Sequence, residues 1–421
     1  MSVQPTAKPR CPVAFDHESA DHARAWPDQF REIRSSECPL GWTDKHGGYW
    51  VATRYRDLLD IAQNAGVFSS HKDYDPATGV VTGGVSIPPF PTPRGIPIET
   101  DSPEWDQIRG FLNNQLSPKA VEARRPRTER FAAALIDRVI EKGEFDIVDD
   151  LTSPLPAITT MALFGLPLDE WRHFADPLHK MQFTPKEDPE FLPTVVNGIA
   201  WIRARMEEVV ALRRKDPKDD LLSYLAHGEV NGKKLDDGTI WEIAWNLVVG
   251  GVDTTTALTS NTLIHLAAHP EQRAKLIADP GALPIAREEF VRFFSPVHGM
   301  ARNALSEADV NGQTVEQGER VYLAFSAANR DPDIFDDPDT VKIDRFPNRH
   351  VGFGAGKHRC IGSFLARMMF ETMIREVLTR MPDYRIVAGA AEKYTSVGTI
   401  NGWVSVPAVF TPGRKVGAII E

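Results

Sequence analysis

Long charge-free apolar runs are missing from this 421-residue sequence: nowhere do the roughly 18 successive apolar residues of a membrane-crossing helix occur. The opening stretch, MSVQPTAKPRCPVAFDHESADHARAWPDQF, also lacks the apolar centre of a signal peptide. Cysteine is scarce. The three present, Cys11, Cys38 and Cys360, are an odd number without CxxC spacing, which argues against a disulfide scaffold and a zinc site and for a reducing interior. Cys11 and Cys38 read as inert thiols. An excess of positive charge is absent too, and a net charge of −10 excludes a general nucleic-acid surface. No repeat, low-complexity linker or shift in composition divides the chain. These absences leave a cytoplasmic protein of one domain, residues 1–421, with neither membrane nor nucleic acid as partner. Its 42% hydrophobic and 25% charged content suits a large core.

What is present is mainly amphipathic helix, with small strand-like patches at 47–55, 305–325 and 399–410. Asn311-Gly312 divides the middle patch and predicts a hairpin turn. Proline and glycine gather at 75–99 (DPATGVVTGGVSIPPFPTPRGIPIE), a long irregular stretch of the kind that walls a binding site. The fold class expected is mainly α with small β-sheets.

Residues 241–270, WEIAWNLVVGGVDTTTALTSNTLIHLAAHP, are apolar on nearly every face and free of proline until their end. They predict a buried helix roughly 30 residues long, on the order of 45 Å. Its middle breaks the pattern. Gly250 and Gly251 each cost about 1 kcal/mol relative to alanine, and Asp253 puts a charge into an apolar core. A capped core acid would be the ordinary explanation; the functional one is a flat ligand close to the backbone, with Thr254 bonding a carbonyl one turn back and opening the helix. Further on, Glu289 and Arg292 are spaced i, i+3 on one helical face. Most such pairs are solvated, but the guanidinium groups of Arg330 and Arg345 downstream are placed to join a buried network with Glu289.

The stretch FGAGKHRCIG, 353–362, sets three glycines and basic residues around Cys360. In order with VVGGVDTTT and Glu289-Phe290-Val291-Arg292, it resembles the cysteine loop, oxygen-activating helix and ExxR motif of the cytochrome P450 family. The likeness is greatest to its soluble bacterial haem-thiolate monooxygenases, such as the camphor hydroxylase, and it covers almost the whole chain. It implies the two-lobed fold of that family and haem b, with Cys360 as the thiolate ligand of the iron. Phe353, Gly354 and Gly362 belong to the same loop, whose glycines permit tight turns, and the helix that follows turns its positive end toward sulfur. Glu289, Arg292 and Arg345 would form the structural network.

By the family pattern His358, Arg302 and Arg109, the last in a W-xxx-R pair with Trp105, would hold the haem propionates. Asp253 and Thr254 would be the acid-alcohol pair that delivers protons, Asp253 from solvent and Thr254 at the reacting oxygen. The resemblance implies insertion of one atom of O2 into a small or medium apolar substrate, terpenoid, fatty or aromatic. Electrons would come from a ferredoxin fed by its reductase, docking near Lys357, Arg359 and Arg109. Pocket walls would come from Phe90, Ile96 and Ile98, from Met181 and Phe183, from Val249 and Gly250, from Val297 and Met300, and from Thr399 and Ile400. The position of the camphor hydroxylase's substrate-binding tyrosine falls near Pro93. An isomerase or lyase of the same fold and a non-catalytic haem-binding sensor are the alternatives.

Overall fold

The computed structural model describes residues 10–36, 38, 40–75, 78–186, 188–395 and 399–421. Positions 76 and 77 of the proline-rich stretch and 187 of the segment after Phe183 lie outside them. The expected mainly helical class with small sheets is what the chain adopts. Helices form where apolar residues recur every three or four positions. In Ser363–Arg380, the side chains of Leu365, Met368, Met369, Met373, Ile374, Val377 and Leu378 all go to the core, and Pro382 stops the helix. In Leu283–Phe294 a proline opens the first turn, and Ser295, at φ 40°, ends the helix in the left-handed region.

The largest sheet has five strands in the order Leu40–Thr43, Tyr49–Ala52, Arg320–Leu323, Met300–Ala304, Phe68–Ser69. Its one parallel pairing joins Tyr49–Ala52 to Arg320–Leu323. The hairpin expected at Asn311-Gly312 joins Ala308–Val310 to Gln313–Val315, and both turn residues take positive φ, as a two-residue turn of this type requires. The proline-rich stretch is less irregular than its composition suggests, because Val81–Gly83 pairs with Lys72–Tyr74. Buried bonds then pin the rest of it: Lys72 Nζ lies 3.6 Å from Glu99, and Glu99 accepts from the Gly95 N–H at 2.8 Å.

The long buried helix expected at 241–270 is two helices. Asp237–Gly251 starts at an Asp236 cap, Val252 (φ −97°, ψ −73°) breaks the run, and Asp253–Ala268 continues it to Pro270. The break falls just after the two glycines, where helix propensity is weakest. Asp253–Ala268 packs against Ser363–Arg380, Leu283–Phe294, Pro154–Phe164 and Trp171–Phe183, so the broken helix runs through the middle of the largest core.

Cys11 and Cys38 correct the sequence reading: they form a disulfide. Isolated spacing gave no hint because the chain brings the two segments together tertiarily. Pro12 bridges Trp42 in parallel, with Val13 N donating to Trp42 O and Trp42 N to Cys11 O, each at 2.7 Å. Among the described residues no helix is long and apolar enough to cross a membrane.

Candidate active site

The loop around Cys360 is shaped by backbone constraints. Gly354 (φ 72°) and Gly356 (φ 65°) are left-handed, and a side chain at Gly356 would stand 2.0 Å from the Ala62 carbonyl oxygen, so only glycine closes the loop there. Cys360 N donates to Phe353 O at 2.8 Å. Ser363–Arg380 begins three residues after the cysteine, so the positive end of the helix meets the sulfur. Cys360 is an exposed free cysteine that lines a cavity. Burial raises the thiol pKa, while the Gly362 N–H and the charges of Arg109, Arg367 and Arg359 pull it back.

That cavity encloses about 1420 Å³ of space free of protein atoms, mouth included, and most of its wall is apolar. Strand alternation places Met300 and Arg302 on the same face, toward it. Helix periodicity does the same for Gly250 and Thr254, and the Thr254 hydroxyl donates to Gly250 O at 2.9 Å. A methyl group at Gly250 would meet no protein atom within 4 Å, so that glycine keeps the cavity clear rather than relieving a clash.

Three nitrogen-bearing side chains line this cavity, and among the described residues none of them forms an ion pair with a carboxylate. Arg302 is fully buried, its pKa is pushed down by burial to about 10, and it donates to the neighbouring Ala301 carbonyl at 2.7 Å. Arg109 donates to Arg359 O at 2.8 Å, and burial lowers its pKa too. His358 sits edge-on to Trp105, its Nδ1 is buried without a partner, and burial followed by the charges of Arg302, Arg109 and Lys357 takes its pKa to about 3. Buried cations without anions are costly. A ligand bearing two carboxylates would satisfy all three, and the Cys360 thiolate in the same cavity would meet its metal; the residues present therefore fit a haem.

Glu289 and Arg292 are completely buried, against the solvated default for an i, i+3 pair. Arg292 grips both carboxylate oxygens at 2.7 Å and spends its remaining donors on the carbonyls of Asn329, Pro338 and Thr340. Arg345 adds a bond at 2.9 Å. Arg330 stays out of this network; it pairs with Asp339 at 2.7 Å and stacks on Phe293 and Trp26. Sequence reading missed a second network: Glu288 receives Arg367 at 2.7 and 2.9 Å and His350 at 3.0 Å, while Arg367 lies over the Phe353 ring. Its signal was the pair Glu288-Glu289, of which only the second carries a motif.

Of the expected pocket residues, Ile98, Gly250, Val297 and Met300 line the cavity. Phe90 instead packs on Phe191, Ile96 belongs to the core, Val249 and Met181 are half-buried beside that core, and Phe183 meets Tyr394. Ile400 is buried in a β-bridge to Val297, and Thr399 bonds His298 through its backbone. Asp253 does not line the cavity either and has no direct path to solvent: its side chain is 1% exposed and lies 2.5 Å from His179. Asn246 and Thr160, not anticipated, supply polar groups to the wall. The i, i+4 pair His265 and His269, a spacing that zinc helices use, is stacked and bonded to Gln272 and the His265 carbonyl.

A family model described as Cytochrome P450 matches residues 199–279 and 285–381. Over 397 residues the chain is 33% identical to the steroid C26-monooxygenase of Mycolicibacterium smegmatis, covering 92% of this chain and 94% of that protein. It is 29% identical over 401 residues to the linalool 8-monooxygenase of Pseudomonas putida, covering 91% and 95%. Among solved structures, a mutant of P450 EryK in complex with erythromycin B is similar with a TM-score of 0.82 at 26% identity, covering 96% of this chain and 100% of that one. CYP109E1 from Bacillus megaterium in complex with corticosterone gives 0.80 at 26% identity, covering 93% and 99%.

Proposed function

The chain belongs to the cytochrome P450 family, as a monooxygenase of that family, and from this membership we propose that it inserts one atom of O2 into a small or medium apolar organic molecule. The observation that carries the reading is the cavity itself, lined by Cys360, by Arg302, Arg109 and His358, which form no ion pair with a carboxylate among the described residues, and by an apolar remainder. Haem b is the form assigned, because the chain has no CxxCH sequence for covalent attachment. When bound, it supplies the iron chemistry that activates dioxygen.

The protein's own part is to hold, exclude and protonate. Cys360 would hold the iron as thiolate, with the Gly362 N–H and the neighbouring arginines stabilising its charge. Arg302, Arg109 and His358 would anchor the two carboxylates. Ile98, Val297 and Met300 exclude water and press an apolar substrate toward Thr254. The Thr254 hydroxyl faces the same space and passes a proton there, resupplied through Asp253 behind it.

Relatives named for a steroid and for linalool, together with the apolar wall, favour a steroid-like or terpenoid skeleton over a polar metabolite. A ferredoxin with its reductase is the electron source assigned. Arg359 is exposed beside the cysteine loop and Arg109 supports it, whereas Lys357 is already paired with Asp106 at 3.1 Å. The test is the absorption spectrum of the dithionite-reduced protein under carbon monoxide. A Soret band at the long-wavelength thiolate position is expected in the wild type and lost in Cys360→Ser; its absence from the wild type would refute the reading. Spin-state titrations with steroids, terpenoids, fatty acids and small aromatics then test the substrate class, and no response to any of them would reject it.

A further inference from the structure

Asp253 stands one residue from Thr254 yet points elsewhere. Thr254 lines the cavity; the Asp253 carboxylate lies against the Trp171–Phe183 helix, with Oδ1 2.5 Å from His179 Nδ1. No lysine or arginine pairs with it among the described residues. The groups facing His179 are Asp253 itself, Tyr394, whose hydroxyl is 3.4 Å from the same Nδ1, and, at longer range, Asp176 and Asp149. The imidazole side chain is 14% exposed, while its Nε2 is buried and has no partner. His179 is therefore the titratable group packed directly on the buried acid and the more exposed of the two.

A buried carboxylate needs a countercharge, and any cation would serve. Lysine and arginine, however, hold their protons too tightly to give them up near neutrality, whereas imidazole exchanges there. Burial by itself would lower the His179 pKa; the charge of Asp253 in close contact, then Asp176 and Asp149, outweigh it and bring the group above its ordinary value of 6.5. The contact thus favours the imidazolium form of a ring that can still be deprotonated.

We propose that His179 is the positioning residue through which Asp253 receives its protons, holding the carboxylate behind the cavity wall and handing it the Nδ1 proton. In that step the Nδ1–H bond breaks, an O–H bond forms on Asp253, and the ring is left neutral with its hydrogen on Nε2. Once Asp253 has passed its proton on, one solvent proton taken up at the vacated Nδ1 restores the cation, so one proton enters for each delivered. Because His179 rides on Trp171–Phe183, any shift of that helix also moves the partner of Asp253. The proposal rests on the monooxygenase reading above.

Two measurements on the haem-loaded protein test it. In the reduced, carbon-monoxide-bound state, which is diamagnetic, the His179 ring carbon is followed by NMR against pH and identified by its loss in His179→Gln. It should titrate above the ordinary imidazole range in the wild type and well below that value in Asp253→Asn; a neutral ring throughout, or no change in Asp253→Asn, overturns the proposal. Oxygen consumption with a surrogate ferredoxin and reductase is then measured across roughly pH 5–9. The wild type should slow as pH rises through the His179 titration. His179→Gln and His179→Arg should both be slower by about tenfold or more and lose that limb. Wild-type rate and profile in His179→Arg would make His179 a countercharge only and overturn the relay. A wild type without the thiolate Soret band would refute the monooxygenase reading itself; variants with a normal band and an unaltered profile would refute only the role of His179.

Discussion

Replacing Glu289 with glutamine should unfold the protein more readily than removal of any exposed acid. The carboxylate is 0% exposed and accepts from Arg292 Nε and Nη2, Arg345 Nε, Asn348 Nδ2 and the Lys342 backbone. Glutamine keeps the shape but removes the charge, leaving the fully buried Arg292 guanidinium without its anion. Breaking a buried pair in this way costs about 3–5 kcal/mol, a large part of the 5–15 kcal/mol that typically separates folded from unfolded chains. With an unfolding entropy of roughly 2.1 cal/mol/K per residue, that loss over a chain of this length lowers Tm by about 3–6 °C. The control is Glu207→Gln, which breaks an i, i+4 pair with Arg203 whose side chains are 49% and 54% exposed and should cost about 1 kcal/mol or less. Thermal unfolding followed by circular dichroism, with haem content measured alongside, compares the two. Equal shifts in both variants would refute the argument that burial, and not the mere presence of an ion pair, gives the ExxR pair its weight.

Thr254→Ala removes a hydroxyl bonded only to Gly250 O, so stability should change by no more than about 1 kcal/mol; electrons should be diverted to hydrogen peroxide, and full coupling would contradict proton delivery by Thr254. Arg302→Leu should leave the haem-free protein at least as stable, because the buried guanidinium has no carboxylate partner, while weakening haem retention roughly ten- to hundredfold; transfer of haem to apomyoglobin measures it, and unchanged transfer would remove Arg302 as an anchor. Thiol titration of unfolded, unreduced protein should find one reactive cysteine and three after reduction, and the double replacement Cys11→Ala/Cys38→Ala should lose up to about 3–4 kcal/mol for a 27-residue separation; three thiols before reduction would refute the pairing. His17 is buried between the Tyr49 hydroxyl and the Ile87 carbonyl, and burial lowers its pKa from 6.5 to about 3. Its folded value lies below its unfolded one, so its contribution is complete above about pH 6.5 and declines as pH falls toward 3. His179 has the opposite sign: its pKa is raised, so its contribution is present below the unfolded value and lost as pH climbs through the folded one. Tm against pH in His17→Gln should therefore lose part of the wild-type fall on acidification, and an unchanged acid limb would refute this assignment.

The parts of the fold that were legible in the sequence are those written in neighbouring residues. Apolar periodicity marks Ser363–Arg380, Asn311-Gly312 marks a hairpin, and the glycines around Cys360 mark a loop that no other residue could close at Gly356. The break at Val252 was hidden because both halves of the helix are apolar all round, and propensity alone cannot say whether two glycines bend a helix or are carried through it. Pocket residues were harder still. Ile98 faces the cavity and Ile96 the core although both are isoleucines in one irregular segment, because no repeat sets the direction of side chains there.

By itself the sequence determined the local chemistry: a thiol set at a helix start, a threonine able to bond back to Gly250, a carboxylate beside it, and an arginine one turn from a glutamate. Those assignments depend on spacings of a few residues, which backbone geometry turns directly into contacts. The tertiary structure decided everything that depends on what lies opposite. It paired Cys11 with Cys38, kept Arg330 out of the Glu289 network, tied Glu288 to Arg367 and set His179 against Asp253. Such partners are separated by 27 to 79 residues in the chain. Their meeting depends on how whole helices and sheets pack, and a buried charge takes its role from the partner that packing brings to it.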